Sequence, residues 1–179
     1  MNRKTLSLAL TFLLLLSSAP VVGQDAEISA GLVKPWVFAL GEWDLVETNY
    51  SAEGELVQTS IGTAVFSYAM NGERLQEYQS LLREGDSVTA LHLFVINPRT
   101  QEVEIARTDS GHYGFWIITG KLTDSGITLA AKHPNPDSKT TRRITYRRVD
   151  DNHFSRTLEF STDKGRSWFV RSEWVYTRK

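Results

Sequence analysis

His153–Arg178 reads HFSRTLEFSTDKGRSWFVRSEWVYTR, two alternating runs of apolar and polar residues around the turn Asp163-Lys164-Gly165. Alternation at period two marks a strand with one buried face. In the second run Trp168, Val170, Trp174 and Tyr176 share a face with Ser172 and Arg178, and Phe169, Arg171, Glu173, Val175 and Thr177 share the other. The first set makes the better core face. A short polar turn between such runs predicts an antiparallel hairpin. Asp163 is placed to accept backbone N–H groups within the turn, Gly165 to take a positive φ, and Trp168 to anchor the hairpin in the core.

The same grammar recurs toward the N-terminus. Strands are expected at Glu42–Tyr50, Leu56–Ala69, Arg74–Arg83, Ser87–Ile96, Glu102–Asp109, Tyr113–Lys121, Gly126–Lys132 and Lys139–Val149, then at His153–Ser161 and Ser167–Arg178. Turn compositions separate them, among them Asn71-Gly72, Gly85-Asp86, Ser110-Gly111 and Asn135-Pro136. Connections this short join antiparallel neighbours. A flat sheet of about ten strands would expose two edges, and closure removes them. The expected fold is therefore all-β: an antiparallel up-and-down barrel of about ten strands. A short helix within Ala26–Leu40, limited by Pro35, precedes it.

Ahead of that helix, Arg3 and Lys4 form a basic start, Leu6–Leu16 is apolar, and Ser17–Gly23 is small or breaker-like. This is the three-part pattern of a secretory signal. The apolar run of about eleven residues is well short of the roughly 20 that span a bilayer. The reading is a cleaved signal peptide over residues 1–23 and one barrel domain over 24–179, exported to the periplasm or beyond. With no cysteine in the chain, an exported barrel must hold by packing and backbone pairing alone.

A hydrophobic fraction of 41% supports a real core, and a formal charge of -1 gives no electrostatic bias toward nucleic acid or anionic membrane. In the basic stretch Lys139–Arg148, period two sends Arg143 and Arg147 outward and Arg142 and Arg148 inward near the barrel ends. The four histidines His92, His112, His133 and His153 show no metal-ligand spacing. Residues 161–168 fit the S-x-D-x-G-x-[ST]-W box of sialidase propellers, but a propeller needs several four-stranded blades and one box builds a hairpin.

From Trp36 to Arg178 the chain resembles a family of uncharacterised, mostly bacterial, lipocalin-like (calycin) domains. Leu40-Gly41-Glu42-Trp43, the aromatic stretch Phe115 to Leu122 ending in Gly-Lys-Leu, and Ser161 to Arg178 carry the likeness. It implies that Trp43 plugs the closed end of the barrel and that Arg178 packs over its indole as a cation–π partner. It implies a fold and no reaction. The haem-binding nitrobindin branch opens G-x-W-x-G-x-G. Here Trp43 is followed by Asp44, Leu45 and Val46, a departure in the first strand, and no cofactor is assigned.

A small closed barrel either fills its interior or holds one small ligand. The leading expectation is an exported binder of a small hydrophobic or amphipathic molecule. Tyr78, Phe94, Phe115 and Tyr146 are the main candidates to line its cavity, with Phe66 and Phe160. His92 is a polar handle, and Arg107 or Arg156 (or Arg142) could anchor a carboxylate. Two other classes stay open. An enzyme in the same cavity would need a polar cluster such as His92 with Arg107 or Glu77. A filled barrel serving a partner protein would show a large outer apolar patch.

Overall fold

A computed structural model describes residues 34–70, 74–97, 99–123, 126–132 and 139–179. The signal peptide expected over residues 1–23, and the turns Asn71-Gly72 and Asn135-Pro136, lie outside the described residues.

Ten strands follow one another: β1 (Gly41–Tyr50), β2 (Leu56–Ala69), β3 (Arg74–Arg83), β4 (Asp86–Ile96), β5 (Glu102–Asp109), β6 (His112–Thr123), β7 (Gly126–Lys132), β8 (Thr141–Arg148), β9 (His153–Ser161) and β10 (Phe169–Arg178). Each pairs antiparallel with its neighbour in sequence, and β10 returns to β1, Trp43 opposite Arg178 and Asn49 opposite Ser172. The sheet is a closed barrel with no free edge. Alternation then sorts the side chains: on β4, Ala90, His92, Phe94 and Ile96 are buried while the residues between them are not.

The expected N-terminal helix is, in the described part, a six-residue 3₁₀ turn over Lys34–Ala39. Three residues per turn eclipse positions i and i+3. Trp36 and Ala39 thus face the same way, and both are buried at the end of the barrel. The Trp43 indole donates to the Ala39 carbonyl at 2.7 Å. The Arg178 guanidinium lies 4.2 Å over the Trp43 ring and donates to the carbonyls of Leu40, at 2.8 Å, and Phe38. Around this plug stands an aromatic cluster. Phe154 stacks on Tyr176 at 4.0 Å and meets Trp43, Phe66, Phe38 and Trp36 edge-on at 4.8–6.5 Å.

The last hairpin corrects the expected faces. A β-bulge interrupts β10: Phe169 pairs with Phe160 and Val170 with Glu159, but Ser172 then pairs with Leu158. The extra residue reverses the inside–outside order on its N-terminal side. Ser172, Trp174 and Tyr176 face inward as the alternation predicts, whereas Phe169 replaces Val170 on the inner wall. Trp168 leaves the core altogether. It is half-buried outside the strand, where its ring carries the Arg143 guanidinium at 4.5 Å and its indole donates to the Gly165 carbonyl at 3.0 Å. Gly165 has φ +88, and a Cβ there would come within 3.3 Å of that ring. Asp163 Oδ1 accepts the backbone N–H groups of Arg166 and Ser167, and its Oδ2 accepts the Ser167 hydroxyl at 2.7 Å.

Candidate functional site: an ionic layer above the aromatic plug

Above the plug the interior becomes polar. On β3 the inward set is Leu75, Glu77, Gln79 and Leu81, because Gln76, Tyr78 and Leu82 take the outer positions. Register carries the polar set around the wall: Glu77 opposes His92, and His92 opposes Arg107. On the facing wall Tyr146 opposes Arg156, Arg156 opposes Trp174, and Trp174 opposes Glu47.

These residues interlock. Glu77 Oε1 accepts the Tyr176 hydroxyl at 2.7 Å and the Gln79 amide at 2.5 Å. Glu77 Oε2 lies 3.1 Å from His92 Nδ1 and 3.8 Å from Arg156 Nη1. The first of these contacts is close enough for an ion pair, yet out of line for a hydrogen bond, so both atoms lack a hydrogen-bond partner among the described residues. Arg156 reaches Gln79 Oε1 at 3.4 Å and the Tyr146 hydroxyl at 3.5 Å, and its guanidinium lies 3.8 Å over Trp174. Nearer the rim, Arg83 makes a two-pronged pair with Glu47 at 2.7 and 2.8 Å, and Arg107 meets Asp109 at 3.2 Å.

Burial alone would raise the Glu77 carboxyl. The His92 ring, the Arg156 cation and the Tyr176 hydroxyl outweigh it and hold the group at about 2. Burial lowers His92 against the pull of Glu77, and the cations of Arg156 and Arg107 lower it further. The ring is therefore neutral near pH 7. Burial pushes the Tyr146 phenol up to about 12 and raises Tyr176 as well, so both stay protonated donors.

A cavity of ≈ 30 Å³ opens within this layer. Its polar side is His92, Arg107, Tyr146 and Arg156; its apolar side is Ile105, Ile118, Ile144, Leu158 and Trp174. That is room for a water or two. His92 Nδ1, Arg107 Nε and Trp174 Nε1 are buried without a hydrogen-bond partner among the described residues, and all three belong to this lining. Toward the open end, Arg142 spans the rings of Trp116 and Phe160 at 5.3 and 5.0 Å. A larger groove of ≈ 360 Å³ runs along the rim beside Tyr50, Glu53 and Phe169. It is shallow and, among the described residues, no buried atom without a hydrogen-bond partner lines it, so the inner cavity is the better candidate.

Of the residues expected to line a cavity, His92, Arg107, Tyr146 and Arg156 meet at this one. Phe94 and Phe66 are inward but belong to the plug, and Phe160 sits at the mouth. Tyr78 and Phe115 correct the expectation: they lie on the outer wall, 49% and 68% exposed. Hydrophobicity favoured an inward Tyr78, but the alternation of β3 turns Glu77 and Gln79 inward in its place. Trp174 reads from the sequence as core and not as cavity lining, and the sequence does not place Gln79, Tyr176 or the Glu47–Arg83 pair in this polar layer. The one signal for them was Leu75-x-Glu77-x-Gln79-x-Leu81, a polar pair held in phase with two leucines. Among the described residues no group of three His, Asp or Glu could hold a metal ion. Outside, Val175, Val46, Ile61 and Leu82 stand in paired register across four strands, 40–63% exposed.

Among solved structures, an S-type phycobiliprotein lyase from Guillardia theta is similar with a TM-score of 0.56 at 8% identity, covering 79% of this chain and 89% of that one. At that identity the likeness is one of fold, a calycin-like barrel. A protein of unknown function from the DUF3598 family of Nostoc punctiforme PCC 73102 covers 81% of this chain and 98% of its own, at 8% identity and a TM-score of 0.23. No curated protein matches. Residues 38–178, which hold all ten strands, match one family, and the chain belongs to that family, DUF1579, described as protein of unknown function.

Proposed function

We propose that this protein is exported under the direction of residues 1–23 and binds one small amphipathic molecule in the open half of its barrel. The ligand's polar end lies at His92, Arg107 and Arg156, and its apolar part lies along Ile105, Ile118, Ile144 and Leu158. The observation that carries this reading is the cavity itself, lined by buried polar atoms that lack a hydrogen-bond partner among the described residues. Buried polar groups cost free energy unless something satisfies them, so such a set asks for a guest. The cavity as it stands admits only a water or two, so a larger guest has to swing Arg142 from between Trp116 and Phe160. A calycin-like neighbour that is a phycobiliprotein lyase is consistent with small-molecule binding.

Native mass spectrometry of the exported protein, compared with its denatured mass, tests this. One extra non-covalent mass is expected, lost in Arg156→Met and retained in Tyr78→Ser, whose side chain is outside. A bare mass, repeated after exposure to lipid and metabolite pools, sinks the reading. It would favour a filled barrel that docks a partner through the Val175–Val46–Ile61–Leu82 row. The His92–Glu77 pair beside Arg107 also supports a catalytic reading in the same cavity, with His92 as a base positioned by Glu77. Recovery of a chemically altered molecule after loading would select it.

A further inference from the structure

We propose that the molecule this barrel takes is an organic acid, held as its carboxylate by Arg107 and Arg156, and that each acid enters with one proton that settles on His92. This rests on the cavity being a binding site.

Charge counting carries the argument. Three guanidiniums face the ionic layer, and each has one carboxylate: Arg83 with Glu47 at 2.7 Å, Arg107 with Asp109 at 3.2 Å, Arg156 with Glu77 at 3.8 Å. The layer is balanced while His92 is neutral; Arg142, a further cation of the inner wall, stands outside it at the mouth, over Trp116 and Phe160. The pairing is uneven, however. Arg83 is gripped at two points, whereas Arg156 stands well back from Glu77 and Arg107 keeps a buried Nε unpartnered. The two loosely satisfied cations are the two that line the cavity. Guanidinium donors in a fork are the side chains suited to a planar carboxylate. The apolar wall opposite them fits a hydrocarbon body.

An added carboxylate leaves one uncompensated negative charge in a buried space, which is costly unless something neutralises it. His92 is faced by Glu77 from β3, Arg107 from β5 and Arg156 from β9; the rest of the layer is Gln79 and Arg83 from β3, Glu47 from β1, Asp109 from β5, Tyr146 from β8 and Tyr176 from β10. Each carboxylate could take a proton only by giving up its pair with a guanidinium, the guanidiniums are already cationic, and the phenols can only lose protons. His92 is the group that can gain one without breaking such a pair. Its Nδ1 already lies 3.1 Å from Glu77 Oε2, within ion-pair range, so the imidazolium finds its counter-charge in place. Burial is the main cause that holds the empty ring neutral, and the two cations that add to it, Arg156 and Arg107, are the ones the incoming anion offsets. Acid and proton therefore bind with mutual benefit.

Isothermal titration of the whole exported protein with hexanoate and its neutral amide, hexanamide, at pH 6 and pH 8 in buffers of differing ionisation enthalpy, tests this. Hexanoate is expected to take up close to one proton, and its affinity to rise up to about tenfold per unit of falling pH between the empty and loaded pKa of His92. Hexanamide is expected to bind far more weakly and take up none. In the unaltered protein, the His92 ring resonances should titrate at higher pH with hexanoate than without. His92→Gln should bind hexanoate more weakly, take up no proton, and lose the rise in affinity with falling pH. Hexanoate binding with no uptake, and with no movement of the His92 titration, overturns the proton coupling while leaving the barrel a binder. Hexanamide binding as well as hexanoate overturns the acid class. If neither binds and no resident mass is found, both this inference and the binding reading fall.

Discussion

The two ends of the barrel interior are built on opposite principles. The closed end is dry and aromatic, with Trp36, Trp43, Phe66, Phe154 and Tyr176 in edge-on and stacked contact and all essentially buried. The open half is ionic, with buried Glu47, Glu77, His92 and Arg156 and a cavity. Apolar burial stabilises each ring by removing area from water, with little demand on geometry. A buried charge gains only if its partners are in place, and otherwise costs several kcal/mol. The closed end can therefore carry the stability, while the open half spends it on a set of groups whose arrangement serves something other than folding.

That contrast can be broken by mutation. Phe154→Ala removes the ring that five other aromatics touch, and should cost about 3–5 kcal/mol in urea unfolding. A loss below about 1 kcal/mol would move the source of stability away from the plug. Arg156→Met strands Glu77 in the interior and should cost about 3 kcal/mol. Adding Glu77→Gln to it should recover most of that loss, because the stranded charge is gone. A double variant as weak as the sum of its parts would show that the layer is a stability device after all.

The gentlest probe is pH. His92 sits below its ordinary 6.5 when folded, so its contribution is present above 6.5 and is lost as the pH falls. Glu77 is depressed from 4.5 to about 2, so its contribution is full above 4.5 and drains away as the pH falls toward 2. Both act in one direction. Unfolding midpoints should decline in acid from about pH 6.5 downward, and Glu77→Gln should flatten the limb below 4.5. An unchanged profile in that variant would mean Glu77 is not held ionised by its neighbours.

Much of the barrel was legible in residue order. The bounds of β2, β3, β5, β7 and β9 follow from turn residues and alternation, and closure follows from strand count and short connections. Four of the seven expected ligand-contacting side chains, His92, Arg107, Tyr146 and Arg156, meet at one cavity. Tyr78 and Phe115 do not, because an aromatic ring on a half-buried outer wall reads the same as one on an inner wall. Trp168 was read inward because one unpaired residue, Arg171, shifts the phase of β10, and nothing in the local sequence announces a bulge.

Period two is a local property, set by the backbone between neighbouring residues, so order alone determined that this chain is a meander of strands with one apolar face. Which charge meets which is a property of register between strands far apart in sequence. Glu77, Tyr176 and Arg156 come from β3, β10 and β9, and only closure of the barrel brings them within hydrogen-bonding and ion-pair range. The ionic layer, its unpartnered donors and its cavity were decided there, because pairing energies depend on distances that no single strand contains.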